Sequence, residues 1–116
     1  MGIGCLIHEV KELQLGPEGT VPEIMVVAPP PMLDDIGEWA AIFDGAQAKS
    51  HELALQFEIT ADSLEVHYFD AGSVIASDPR DGFHLSREAH RLLGIALARE
   101  VEAIGWDADC QWPEHD

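Results

Sequence analysis

The sequence predicts an α/β fold built on parallel strands, and three features carry that expectation. Apolar spacing changes along the chain in the order helix, strand, helix, strand, helix, which is how helices come to cover a parallel sheet. The first strand-like segment, "EIMVVAPP", is a continuous apolar run with adjacent valines, and not the in–out alternation of a strand with one wet face. Finally, 116 residues of 47% hydrophobic composition make one globular domain, long enough to bury roughly two-thirds of its unfolded surface.

Each element has its own justification. Ile3, Leu6, Ile7, Val10 and Leu13 recur at helical spacing with His8, Glu9, Lys11 and Glu12 turned away, predicting an amphipathic helix over 1–14. "LGPEGTVP" ends it as a loop. A short buried strand is expected over 23–29, stopped by Pro29, Pro30 and Pro31. "MLDDIGEWAAIFDG" reads as a loop with one or two helical turns. A second helix is predicted over 44–61, with Asp44 placed to cap it and Leu53, Ala54, Phe57 and Ala61 as its core stripe. Leu55 and Ile59 lie on another face, a surplus of apolar surface suited to a subunit contact. "LEVHYFDA" supplies a second strand over 64–71.

A loop over 78–85 precedes a third helix over 86–104, for which Ser86 is the expected N-cap and Gly105 the stop. Ala89, Leu92, Leu93, Ala96, Leu97, Val101 and Ile104 mark its buried side. The acidic tail over 105–116 has no period, although Trp106 and Trp112 offer anchors. Two or three strands are few for a parallel sheet, and their edges would be open.

Composition removes several classes of partner. A net charge of −16, from 22 acids against 6 Lys and Arg, repels nucleic acid and anionic membranes, whose binding needs clustered cations. Cys5 and Cys110 lie far apart without metal-ligand spacing and read as free thiols, which fits a reducing cytoplasm. No apolar run approaches the roughly 20 residues of a membrane span. The opening "MGIGC" places Leu6 where myristoylation prefers Ser or Thr, and no export signal is expected. A cytoplasmic protein is the expectation.

Chemistry concentrates in "DGFHLSREAH". A histidine beside a carboxylate acts as a general base, the acid fixing the tautomer and stabilising the imidazolium. Three residues of separation in a turn let Asp81 and His84 point to one place, and Gly82 lets the backbone bend. Spacing alone is a weak signal, because a loop histidine bonded to a nearby acid is common without catalysis. A metal site drawing on Asp81, His84, His90, Cys110 and His115 is a weaker alternative, and no metal or cofactor is expected.

The wider context is more specific. "FDGAQAKSHELA" and then "FDAGSVIASDPRDGFHLSREAHRLLGIALAREV", preceded by "VVAPPPM", resemble the C-terminal half of the SGNH, or GDSL, hydrolases, particularly their arylesterase-like branch. The likeness runs from about Glu23 to Val101. It implies a truncated, flavodoxin-like three-layer domain with a small parallel sheet and about three main helices. It also implies carboxylic ester hydrolysis of a small ester, with Asp81 and His84 as the family's Asp-x-x-His pair. Pro30 and Met32, in the proline-rich loop, are expected to line the pocket.

The departures from the family pattern are equally specific. No Gly-Asp-Ser block occurs, and the chain contains no asparagine, so the usual nucleophile and oxyanion donors are absent. Ser77, Ser73 and Ser86 are the substitute nucleophiles to weigh, each against a plain role as a loop hydroxyl or helix cap. The expected protein is a weak or incomplete esterase forming a homo-oligomer that covers its open sheet and spare helix face. The alternatives are an inactive remnant serving as an oligomeric binding protein, or one half of a split hydrolase.

Overall fold

Adjacent apolar residues on one strand point to opposite faces, so each face of such a strand needs its own cover. In the computed structural model, which describes residues 2–105, Val26 and Val27 receive that cover from opposite sides. The elements in chain order are α1 (Gly2–Leu13), β1 (Met25–Ala28), α2 (Ala46–Ser63), β2 (His67–Asp70) and α3 (Arg87–Ile104). Short 3-10 turns occupy Pro17–Gly19, Gly37–Ala41 and Ala71–Ser73. β1 and β2 pair in parallel, with Met25 opposite His67 and Ala28 opposite Asp70. On one face Val26 packs with Ile7 of α1 and Ala61 of α2; on the other, Val27 packs against Ala71, Ile75 and Ala89, the last from α3. The result is the expected α/β arrangement of three main helices about a small parallel sheet.

Both strands are shorter than the apolar runs that suggested them. Pro29 has no N–H to continue the ladder, so β1 stops at Ala28. The residues before β2 go into a turn instead, with Glu65 at φ 55° and the Val66 N–H bonded to the Ala61 carbonyl. That turn lets α2 continue to Ser63, two residues beyond the expected end. At its other end α2 starts from Gly45, at φ 77°, with no side-chain cap. Asp44 does not cap the helix, because the preceding turn already serves that end: the Ala46 N–H bonds to the Phe43 carbonyl at 2.9 Å.

Three polar contacts lock the layers in register. Lys11 Nζ donates to the Leu64 carbonyl at 2.5 Å, placing a cation at the negative end of α2. Tyr68 Oη donates to the Ala54 carbonyl at 2.9 Å and fixes β2 beneath α2. His67 Nε2 meets Glu23 Oε2 at 2.8 Å across the start of the sheet.

The apolar interior is thin. Half of the buried apolar residues are alanines, and no large side chain among the described residues is completely buried. In α1 only Ile7 is buried, whereas Leu6, Val10 and Leu13 from the same stripe are exposed. A stripe that wide exceeds the one edge of α1 that meets α2. Leu55 and Ile59 of α2 are 57% and 54% exposed, an unpartnered face as the sequence suggested. Trp106, Trp112 and the acidic tail lie outside the described residues, apart from Gly105, which closes α3 at φ 88°. No helix among the described residues is long and apolar enough to cross a membrane.

Because so few large side chains are buried, each should carry much of the stability. Ile7→Ala should cost about 2–5 kcal/mol in urea unfolding, as for other buried aliphatic truncations. Leu6→Ala, one residue away and 62% exposed, should change it by less than about 0.5 kcal/mol.

Candidate active site

The chain after β2 folds back along the proline-rich loop. Asp70 caps the turn at Ala71–Ser73, accepting from the Gly72 N–H at 2.9 Å. Ser77 is buried, and its Oγ donates to the Pro31 carbonyl at 2.9 Å, tying the two loops together. The next segment closes on itself: the Asp78 N–H donates to the His84 carbonyl at 2.8 Å, and the Asp78 carbonyl accepts from the Gly82 N–H at 2.7 Å. Gly82 is required here twice over. Its φ is +85°, and a Cβ would lie 2.7 Å from Ile36 Cγ2 and 2.8 Å from the Asp35 carbonyl oxygen. In turn the Gly82 carbonyl accepts from the Leu33 N–H at 2.8 Å, pinning this loop to the segment after β1.

This turn brings Asp81 and His84 together. One carboxylate oxygen of Asp81 accepts from the backbone N–H groups of Phe83 and His84, each at 2.9 Å. The other contacts His84 Nδ1 in a short hydrogen bond. The backbone N–H groups of His84 and Phe83, and then the imidazole, hold the Asp81 carboxyl down at about 2, well below the usual carboxylate value. An ionised carboxylate can only accept, so Nδ1 carries the hydrogen that it receives. In the neutral imidazole Nε2 is then the nitrogen with the free lone pair. It has no hydrogen-bond partner among the described residues, and the His84 side chain is 72% exposed. This arrangement can accept a proton at Nε2 and hold the resulting imidazolium against Asp81.

An aromatic wall stands beside the imidazole. Phe83 packs on the His84 ring at 4.4 Å between centroids, and Phe43 and Trp39 meet Phe83 edge-on at 5.2 and 5.8 Å. Sequence reasoning did not assign these three aromatics. Trp39 and Phe43 are four residues apart in the segment read as a loop with one or two helical turns, and that helical spacing was the available signal.

The other candidate serines make hydrogen bonds of their own. Ser73 Oγ donates to the Asp70 carbonyl at 2.7 Å, and Ser86 Oγ caps α3 by accepting from the Ala89 N–H at 3.1 Å. With Ser77 committed to Pro31, none of the three hydroxyls bonds to His84. Met32 lines a shallow depression of about 210 Å³ with Pro31, Asp34 and His51, and its N–H donates to Ser50 Oγ. Pro30 is buried behind this loop, with its Cα close beneath Gly72. Neither Asp81 nor His84 lines that depression or the one of about 450 Å³ beside Ile59, Val66 and Tyr68. His90 is exposed on α3, while Cys110 and His115 lie outside the described residues. Among the described residues no group of three or more His, Cys, Asp or Glu is placed to hold a metal ion.

No protein-family model matches the sequence, and no curated protein does. Solved structures do. A carbohydrate acetylesterase from Sinorhizobium meliloti is 37% identical over 89% of this chain and 49% of its own, with a TM-score of 0.81. The native aryl esterase of M. smegmatis is 36% identical over 88% of this chain and 49% of its own, with a TM-score of 0.79. A second S. meliloti structure, a carbohydrate acetylesterase family member, is 35% identical over 89% and 49%, with a TM-score of 0.81. The chain thus spans about half the length of the proteins it matches, and over that half it shares their fold. Sequence likeness, topology and these structures agree: the chain is similar to about half of the SGNH-type esterase fold.

Proposed function

We propose that this chain provides the acid–base part of a carboxylic ester hydrolase, with His84 as general base and Asp81 as its orienting partner. The observation that carries this reading is the free Nε2 on an imidazole whose other nitrogen is fixed by an ionised carboxylate. As a water oxygen attacks the ester carbonyl, Nε2 takes its proton, and the imidazolium returns that proton to the departing alkoxide. The relatives are named as a carbohydrate acetylesterase and an aryl esterase, so short-acyl esters of sugars or phenols are the substrate class to try. No cofactor enters this scheme, and a cytoplasmic setting suits the exposed Cys5 thiol.

Turnover by the chain alone should be slow. Each absent oxyanion donor costs about 10²–10³-fold, and Ser73, Ser77 and Ser86 are held in structural hydrogen bonds. The same commitment of the serines supports a second reading, an inactive oligomeric binding protein. Self-association through the exposed Leu55 and Ile59 face of α2 is proposed under either reading.

Three outcomes are expected. Purified protein should hydrolyse p-nitrophenyl acetate weakly and without labelling by a serine-directed fluorophosphonate, and His84→Ala should remove that hydrolysis; unchanged hydrolysis in the variant refutes the base. The depressed Asp81 carboxyl stabilises the fold above the ordinary carboxylate pKa, and that contribution is lost as pH falls through about 2. Melting temperatures of wild type and Asp81→Asn should therefore differ above pH ~4 and converge toward pH 2. Sedimentation at micromolar concentration should show an oligomer that Leu55→Glu with Ile59→Glu dissociates; a monomeric wild type refutes self-association.

A further inference from the structure

Two helices on opposite sides of the sheet carry exposed faces that match. α2 covers the Val26 side and α3 the Val27 side. Along α2, Ala48, Glu52, Leu55, Ile59 and Asp62 recur at alternating steps of four and three, the spacing of a helix–helix seam, and all of them are exposed. Along α3 the same steps join Glu88, Leu92, Ile95, Arg99 and Glu102, again exposed, with Leu92 at 39% and Ile95 at 41%. The flanks of the two apolar pairs differ in sign: Glu58 stands beside the pair of α2, and Arg91 beside that of α3. α2 also offers a seat. Ile59, Val66 and Tyr68 line the depression of about 450 Å³ together with Glu58 and Asp62, an apolar hollow with acids around it.

We infer that the exposed face of α3 docks, antiparallel, on the exposed face of α2 of a second copy of this chain. The inference rests on the self-association proposed above and names its second surface. With the helices antiparallel, Leu55 meets Ile95, Ile59 meets Leu92, and Glu52 meets Arg99. Glu88 holds Arg91 by two hydrogen bonds, so Asp62 meets an ion pair whose cation offsets the facing acid. Arg99 has no ion-pair partner among the described residues and is free for Glu52. Parallel helices in the same register would instead set Ile59 against Arg99 and Glu52 against Leu92. Pairing α2 with α2 of a copy is worse still, because it brings Glu52, Glu58 and Asp62 against themselves in a chain of net charge −16. The two faces are different and lie on opposite sides of the sheet, so each copy turns one to each neighbour and the assembly is a ring or a chain.

Sedimentation at micromolar concentration tests the pairing with variants at exposed positions, whose circular dichroism should match wild type. Leu92→Glu with Ile95→Glu should be monomeric, as should Leu55→Glu with Ile59→Glu. Mixed in equal amounts, the two monomeric variants should form a one-to-one heterodimer, because each retains the face that the other has lost. Arg99→Glu should weaken assembly about tenfold, and adding Glu52→Arg should restore it. An α3 variant that assembles like wild type overturns the role of α3 and leaves self-association through α2 standing. A mixture that stays monomeric overturns the pairing of α3 with α2, and a charge exchange without recovery overturns the antiparallel register. A monomeric wild type overturns this inference and self-association together.

Discussion

The structure depends on one constraint, that β1 be covered on both faces at once. Two adjacent valines cannot share a face, so the chain must place helices above and below the strand. α1 and α2 answer Val26, and α3 with the turn after β2 answers Val27. Everything else is arranged around that sandwich. The proline-rich segment leaves β1 at the carboxyl end of the sheet, and the chain leaving β2 arrives at the same end beside it. α/β folds gather their reactive loops at that end, and the Asp81–His84 turn lies in one of them.

Much of this was legible in the sequence. The "MVVA" run announced a doubly covered strand, and the apolar spacing of Phe57 and Ala61 marked the inner side of α2. Asp81, Gly82 and His84 were readable because their meaning is local: a turn of four residues with a left-handed glycine brings an acid to an imidazole wherever the turn happens to sit. What stayed hidden is tertiary. No pattern says that Leu6 and Leu13 stay exposed while Ile7 is buried, since that depends on which edge of α1 finds α2. Asp44 resembled a cap by composition, but the turn before it supplied the carbonyl that made a cap unnecessary. The aromatic cluster beside His84 joins two segments 40 residues apart, Phe43 packing on Phe83, and only folding brings them together.

The division of labour among the hydroxyls follows the same logic. A serine beside a turn is most readily satisfied by the nearest carbonyl, and Ser73 and Ser77 each found one. Ser86 found the opening of a helix. Proximity in sequence to a general base does not compete with these local bonds, so neighbouring serines are poor substitutes for one delivered from elsewhere.

The hydrogen bonds that shape the reactive turn run almost entirely within the seven residues from Asp78 to His84. Such a knot sets the imidazole's posture mostly by local bonds, with the Leu33 N–H holding the Gly82 carbonyl from outside. Its ordering entropy is therefore spent during folding of this chain and is not charged again when something approaches. A proton acceptor held ready in this way can be inherited as a unit, useful to whatever surface later supplies the atom to be deprotonated.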